Sequence, residues 1–450
     1  MDRTVEDFVR GLALDAYLVG GAVRDELLDF ESKDADFVIP GVDYDGLRRA
    51  LEPHGRVEDL EVAGRRVGAR LYPRDPAVRA AAPAGIEFAP PRAERSTGPG
   101  RHDFEIFADP GLSIEDDMAR RDFTVNAIAR RLDTGELVDP YGGERDLEHG
   151  LLRTVSPRSF AEDPLRIVRG LRLVSQLGLT PDESTLQQMR DEAENVRLVS
   201  GERLGGGLDS DGMGELSKLL LGPEPARALR LARDTGVLTA LLPELGPTIG
   251  FEQDSKRQHR TLDEHIFAVV QAAADAGASL PVRLGALLHD AGKPGVDGDH
   301  AERGARLAGE ALGRLRYPTR LRTYVTRLVR AHAFPLDDVD ERFARRFLRR
   351  HGDELAFDLV AHKEADLRGK SVPEAELDAA AQLRRLLEQE RGQPHRLEDL
   401  AVDGSDLLDL GYAEGPELGR ALDSLLDAVV DEPGLNTREQ LLERAQAEAG

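Results

Sequence analysis

Residues 17–36 hold the first side chains whose types and spacing could do chemistry. Gly20-Gly21 is followed by Val23-Arg24-Asp25 and then by Asp34-Ala35-Asp36. A glycine pair lets backbone N–H groups approach an anion closely, and Arg24 adds a charged fork beside it. Carboxylates two apart on a strand point to one face, so Asp34 and Asp36 can grip one or two divalent cations together. Most glycine pairs only mark tight turns, and most Asp-x-Asp pairs lie on surfaces. Together, and flanked by the strand-like runs Tyr17-Leu18-Val19 and Phe37-Val38-Ile39, they favour a nucleotidyl-transfer site.

This stretch closely resembles the head-domain signature of the tRNA nucleotidyltransferase (CCA-adding enzyme) and bacterial poly(A) polymerase family, within the polymerase beta superfamily. The pattern is Gly-Gly-x-Val-Arg-Asp followed by Asp-x-Asp, and every residue of it is present. The resemblance implies Mg²⁺ on Asp34 and Asp36 as the catalytic centre, with Gly20, Gly21 and Arg24 on the triphosphate. Glu87 falls where the family has an acidic strand residue, which implies a supporting place near the metals.

A second block runs from Arg120 to Ala127, RRDFTVNA. An arginine pair is usually a solvated basic face. Followed by an aspartate and an apolar stripe, it can fix a nucleotide, because guanidinium donates to phosphate or ribose oxygens and Asp or Asn pairs with hydroxyls. The family's ribose-recognition motif matches here, which implies that role for Arg121 and Asp122, with Asn126 a further candidate.

The third block is Phe160 to Arg169, FAEDPLRIVR, where Pro164 favours a helix start. Asp163 and Arg166 are helix neighbours, and pattern alone favours an ion pair between them. Base recognition gives them a different use. Adenine and cytosine each offer an amino donor beside a ring-nitrogen acceptor, which a carboxylate and a guanidinium can satisfy. Guanine and uracil present the reverse, leaving both protein groups mispaired at a cost of kilocalories. The block matches the family's Glu-Asp-x-x-Arg template at Glu162, Asp163 and Arg166, which implies selection of CTP and ATP. Arg169 and Arg172 follow at the same spacing and could position base or phosphates.

A second constellation lies downstream. His265 sits on an apolar-periodic stretch, His289-Asp290 ends another, and Asp366 follows in HKEADLRG. A lone helical His is more often packed than a ligand, but this set is more specific. Imidazole with carboxylate suits Mg, Mn, Ni or Fe and metal-assisted hydrolysis of phosphate esters. The pattern resembles an HD-type phosphohydrolase domain, as appended to some bacterial CCA-adding enzymes. That resemblance implies His265, His289, Asp290 and Asp366 as ligands, with Lys293, His300 and His332 lining the site.

These groups need several elements to position them. The chain has 450 residues, too long for one core. No apolar run reaches membrane-spanning length, and MDRTVEDFVR does not look like a signal peptide, so a soluble cytoplasmic protein with no membrane partner is expected. There is no cysteine, which excludes disulfides and thiolate-bound zinc. The net charge is −24, yet of 60 basic residues only six are lysine, and the arginines cluster at 314–350. Such a run is usually a solvated helical face, and beside a nucleotidyltransferase head it is also a plausible phosphate-backbone surface.

The expected architecture is multidomain α+β. A polymerase-beta-like head of mixed sheet plus helices spans 1–140, with a helix at Tyr44–Leu51, strands within Val62–Tyr72 and at Ile86–Phe88, and a loop from Pro90 to His102. A hinge through Asp139, Gly142, Gly143 and Asp146 leads to an all-helical neck over 141–250, interrupted by the glycine-rich 205–214. An HD-type helical domain over 251–370 and a helical tail over 371–450 complete the chain. The resemblance implies addition of C-C-A to tRNA 3′ ends from CTP and ATP. A poly(A) polymerase, or an enzyme adding only part of CCA, shares the same head and neck residues; the appended hydrolase-like domain favours full CCA addition. An HD-type phosphohydrolase with a nucleotide-sensing head is the alternative from another class, and the intact Asp34 and Asp36 argue against it. A purely structural RNA-binding protein would leave both constellations idle.

Overall fold

The short apolar runs of the first 140 residues pair into a seven-stranded mixed sheet. In the computed structural model, described for residues 1–30, 35–62, 64–96, 104–206, 213–253, 260–295, 299–370 and 372–449, the first strands are β1 (Tyr17–Val19), β2 (Asp36–Val38), β3 (Gly55–Val62), β4 (Arg65–Pro73) and β5 (Ile86–Ala89). A separate two-stranded ribbon joins β6 (Arg92–Ser96) to β7 (Phe104–Ala108), and β8 (Ala129–Arg131) and β9 (Leu137–Val138) return to the main sheet. The order across that sheet is β3-β4-β5-β2-β1-β8-β9, antiparallel except for the β2–β5 pair.

Strand alternation explains which side chains are buried and which are presented. Leu18, Phe37, Leu71, Ile86 and Phe88 enter one core with Val5, Val9, Val23, Leu47, Leu51 and Val78 from four helices. Phe37 and Phe88 stack there with centroids 5.5 Å apart. Val19, Val38 and Ala129 pack instead with Ile114 and Met118 of the helix Ile114–Ala119. Asp36 shares that second face with Val38, and the parallel register sets it beside Glu87. Side-chain caps begin several helices: Asp2 accepts from Thr4 N, Asp43 from Gly46 N, and Ser113 with Asp116 forms a capping box.

The strand readings need two corrections. The proposed loop at Pro90–His102 begins as β6, which pairs in register from Arg92↔Ala108 to Ser96↔Phe104; residues 97–103 lie outside the described residues. An unread β3 precedes β4, because its sequence GRVEDLEV mixes charges into the apolar pattern that marks a strand.

The chain divides into two compact units, residues 1–246 with 314–317, and residues 247–313 with 318–450. In the first, the helix Leu165–Leu177 packs against Glu215–Leu221 and Pro225–Asp234. Gly205 and Gly206 lie against Leu315 and Arg316 so closely that a Cβ would fall 2.7 and 2.1 Å from their carbonyl oxygens. The glycines at this turn are therefore packing residues; residues 207–212 lie outside the described residues. Tyr317 buries its hydroxyl 2.8 Å from Ser217 Oγ.

In the second unit, Leu262–Asp275 packs on Leu280–Leu288 and Asp353–Gly369, and Leu280–Leu288 packs on Thr319–Ala331. Much of the arginine density is used internally. Arg342 and Arg346 both pair with Asp431, Arg345 with Glu390, and Arg349 with Asp423 and Asp427. These arginines seam the helix Glu341–His351 to Glu374–Glu390 and Pro416–Asp431, in place of a bare phosphate-binding face. Among the described residues no helix is long and apolar enough to cross a membrane.

Candidate active site and metal centre

β1 ends in a turn that only glycine makes easily. Gly20 has φ +73°, and a Cβ there would lie 2.7 Å from Arg121 Nη1. Arg121 is thus pressed behind the turn, where its Nη2 donates to Asp117 Oδ2 at 3.1 Å and its Nη1 to the Asn126 carbonyl at 3.4 Å. Burial pushes its pKa down, and Asp117 opposes that shift.

Arg24 is one helical turn on and buried. Its Nη1 donates to Asn126 Oδ1 at 2.7 Å, while Nε and Nη2 reach Asp25 Oδ1 at 2.9 and 2.6 Å. Its guanidinium therefore braces the turn against Asn126, a different immediate task from the expected phosphate fork. Asp122 Oδ1 accepts from Asn126 Nδ2 at 3.0 Å and from Phe123 N at 2.9 Å, and Arg169 Nε lies 3.0 Å from Oδ2. Burial would raise this carboxyl, but Arg169 and the Asn126 hydrogen bond outweigh it and hold the pKa below the usual range.

The network continues into the third block. Ser159 Oγ donates to the Asp122 carbonyl at 3.2 Å and lies 3.1 Å from Arg166 Nη1, whose Nη2 donates to the Arg120 carbonyl at 2.7 Å. Asp163 is held by a two-pronged contact from Arg203, at 2.8 and 3.3 Å, and caps Leu165 N at 3.1 Å. The ion pair that spacing alone favours between Asp163 and Arg166 is not made. Each is held by a different neighbour. Arg172 contacts Glu215 at 2.6 Å and Gln176 at 2.8 Å.

The Asp139–Asp146 stretch buttresses this network. Asp139 caps Gly143 N and Glu144 N at 2.7 and 2.9 Å, and Asp146 accepts from Thr124 Oγ1 at 2.8 Å. A Cβ on Gly143 would fall 2.1 Å from the Thr124 carbonyl, so glycine is required for this approach.

Asp34 lies outside the described residues. Asp36 stands exposed at the start of β2, level with Glu87 on β5 and Arg70 on β4. Glu87 is bonded to Arg70 through both Nε, at 3.1 Å, and Nη2. Carboxylate oxygens on neighbouring strands are a donor set suited to a hard cation such as Mg²⁺.

In the second unit the expected ligands meet. His265 Nε2 lies 3.4 Å from Asp290 Oδ2 and 3.2 Å from Asp366 Oδ1; His289 Nε2 lies 3.1 and 3.8 Å from the same two atoms. All four residues are buried. His265 Nε2, His289 Nε2 and Asp366 Oδ1 make no hydrogen bond, as fits imidazole and carboxylate donors directed at a cation. His289 Nδ1 contacts the Ala286 carbonyl at 2.9 Å, which fixes the proton there and leaves Nε2 to coordinate. Lys293 and Lys370 each bond one carboxylate, at Asp290 Oδ2 and Asp366 Oδ2. Burial opposes ionising these carboxyls, yet the imidazoles, and Lys370 at Asp366, keep both well below the usual carboxylate range. Burial lowers His289; for His265 the two carboxylates outweigh burial and raise it.

Three known-family models match the chain: "Poly A polymerase head domain" over 16–153, "Probable RNA and SrmB- binding site of polymerase A" over 178–248, and a tRNA nucleotidyltransferase domain 2 model over 305–445. The multifunctional CCA protein of Neisseria gonorrhoeae (strain NCCP11945) is 37% identical over 317 residues, covering 68% of this chain and 70% of that protein. The chain belongs to the CCA-adding tRNA nucleotidyltransferase family. It is an enzyme of the nucleotidyltransferase class. The family's Azoarcus sp. (strain BH72) member is 38% identical over 330 residues, 70% of this chain and 73% of that one.

Solved structures share the fold of a polymerase-beta-like head with a mixed sheet followed by a largely helical body. The Bacillus stearothermophilus CCA-adding enzyme in complex with CTP superposes with a TM-score of 0.72 at 23% identity, covering 99% of this chain and 97% of that one. The Thermotoga maritima CCA-adding enzyme complexed with tRNA gives 0.59 at 20% identity, covering 100% and 94%.

Three residues were missed as site residues. Asp117, buried between Arg120 and Arg121, stands three and four positions before them in a helix-compatible spacing that could have been read. Arg203, in the neck, grips Asp163 from forty residues downstream, and no local signal marks that partnership. His362 is four positions before Asp366 on one helix, buried within the C-terminal cluster.

Proposed function

We propose that the first unit completes tRNA 3′ ends by adding C, C and A from CTP and ATP. The observation that carries this reading is the polar network from the Gly20 turn through Arg24, Asn126, Asp122 and Ser159 to Arg166. It ties the groups suited to phosphate, ribose and base into one unit. The relatives' name and the solved neighbours bound to CTP or tRNA support the same substrates.

In this reading Asp34 and Asp36 hold Mg²⁺, with Glu87 alongside. When bound, Mg²⁺ favours deprotonation of the RNA 3′-hydroxyl and stabilises charge on the triphosphate and departing pyrophosphate. Gly20 and Gly21 present backbone N–H groups to the triphosphate. Arg121, Asp122 and Asn126 position the ribose. Asp163 accepts from the amino group of C or A, and Arg166 donates to the ring nitrogen. Arg169 keeps Asp122 ionised. The enzyme works in the cytoplasm, as a head over 1–140, a neck over 141–250, an HD-type domain over 251–370 and a tail over 371–450.

The second unit is proposed to be a metal-dependent phosphohydrolase. His265, His289, Asp290 and Asp366 would hold a divalent cation (Mg, Mn, Ni or Fe), which when bound activates water toward a phosphate ester.

The deciding assay incubates the protein with Mg²⁺ and tRNA transcripts ending before, within and after CCA, with each NTP supplied singly and in pairs. Growth by C, C and A with a stop is expected. A long A tail would make it a poly(A) polymerase. No addition, alongside phosphate release from nucleotides, would mean that the head has been misread.

A further inference from the structure

Four residues drawn from a distant part of the chain support the turn that carries Arg203. Arg314–Tyr317 pack with the first unit, although the residues on either side belong to the second. Arg314 anchors one end, its Nη1 donating to the Leu241 carbonyl at 3.1 Å and its Nη2 to Glu244 Oε2 at 2.8 Å. Tyr317, buried, anchors the other. Between them the chain lies along Glu202–Gly206, a single turn of π-helix, a geometry that recurs at functional sites.

The approach is too close for side chains on the turn. A Cβ on Gly201 would fall 2.3 Å from the Arg314 carbonyl oxygen, and one on Gly205 would fall 2.6 Å from Tyr317 Cε2. Gly206 N donates to the Leu315 carbonyl at 3.0 Å. Arg316 takes φ +58°, a conformation that residues with a Cβ rarely adopt and that persists only where the surroundings hold it. A relay of hydroxyls completes the clamp. Ser217 Oγ donates to the Gly205 carbonyl at 3.2 Å, which commits its proton, so the Tyr317 hydroxyl 2.8 Å away donates to Ser217. Burial raises the Tyr317 pKa and keeps that proton on the phenol. The turn held in this way projects Arg203, whose Nη2 and Nη1 reach Asp163 at 2.8 and 3.3 Å.

We infer that Arg314–Tyr317 is a positioning element for base selection, which fixes the Arg203 turn through Tyr317 and Ser217 and thereby fixes Asp163. The inference rests on the proposed reading of Asp163 and Arg166 as the base-selecting pair, and adds residues more than a hundred positions downstream to it. Telling an amino group from a carbonyl depends on where the Asp163 oxygens stand, so a looser turn costs selectivity before it costs rate.

The test is a double-mutant cycle on the full-length protein, read as kcat and KM for each NTP supplied singly with a tRNA transcript that ends before CCA. Tyr317→Phe removes the hydroxyl and keeps the ring. It is expected to lower the preference for CTP over UTP by about threefold to tenfold, the scale of one buried hydrogen bond. The change should fall on KM, with kcat for CTP held within about twofold. Added to Arg203→Ala, Tyr317→Phe should lower the preference no further, because the route through which it acts is already gone. A lowered Tm in both backgrounds with the preference unchanged would make Tyr317 merely structural and overturn the inference. An equal loss of preference in both backgrounds would overturn the route through Arg203. Asp163→Ala tests the reading beneath: if it keeps the preference for CTP, or if the parent shows none, the base-selecting assignment falls and the inference with it. If Asp163→Ala abolishes the preference while Tyr317→Phe leaves it whole, only the positioning element falls. Should Tyr317→Phe fail to fold, Ser217→Ala cuts the same relay from its other side and is judged by the same outcomes.

Discussion

Asp163 and Arg166 can read a base only if both are held still in the geometry that distinguishes an amino group from a carbonyl. Their restraint comes from residues outside the Glu-Asp-x-x-Arg block. Arg203 grips both oxygens of Asp163, and the Ser159 hydroxyl with the Arg120 carbonyl fixes Arg166. Charge-assisted bonds of this kind contribute about 1.5–3 kcal/mol each, so on the proposed reading the support would matter to selection as well as to folding. Arg203→Ala is expected to raise KM for CTP and ATP and to lower discrimination against UTP and GTP by about tenfold, the scale of one such bond. Arg203→Lys should recover only part, since an ammonium cannot reproduce the fork. Single-nucleotide incorporation on a tRNA transcript measures both; unchanged selectivity would remove Arg203 from the recognition apparatus. At this scale the motif residues were legible because their chemistry is local in sequence. Arg203's contact with Asp163 depends on distant segments meeting, which spacing does not encode.

Short strands and capped helices explain why the elements were read unevenly. Tyr44–Leu51 and Ile86–Ala89 announce themselves through periodicity, whereas β3 hides behind its charges and β6 behind prolines and arginines. The arginine-dense helix Glu341–His351 suggested a nucleic-acid surface, but its charges meet acidic residues on two other helices. Asp431 accepts from Arg342 and Arg346, whose hydrogen bonds hold its pKa well below the usual value. Asp431→Asn should lower Tm by about 2–4 °C, as loss of a partly exposed charge network would, and leave nucleotide addition unchanged. A matching loss of tRNA affinity would contradict the seam. The same helix ends at His351, where burial, Arg350 and Arg327 push the imidazole down to about 4. Unfolded, it titrates near 6.5, so between these values the unfolded chain binds a proton that the folded chain refuses. Stability should therefore fall as pH is lowered through that window. His351→Phe, which keeps a ring against Phe347, should flatten this part of the Tm–pH curve. An unchanged slope would assign the acid sensitivity elsewhere.

Across the whole molecule, two constellations of different chemistry sit in two separately packed units, where the sequence suggested four domains. The first uses carboxylate oxygens suited to Mg²⁺, and the second adds imidazoles that favour softer divalent ions. On the proposed reading, that contrast would make the two activities separable. Asp36→Ala removes a donor on an exposed strand end and should abolish nucleotide addition while sparing phosphatase activity. His289→Ala should do the reverse, with CCA addition retained within about twofold of the parent, the scatter allowed for a distant substitution. Metal requirements should separate as well. After chelation, Mg²⁺ alone should restore addition, and Mn²⁺ or Ni²⁺ should restore hydrolysis more fully than Mg²⁺. The two reactions are measured on one preparation, with labelled CTP on a tRNA transcript and with a phosphate-ester substrate in parallel. Loss of both activities in either variant, with the fold intact by circular dichroism, would mean that the constellations act as one site, and the division of labour would have to be abandoned.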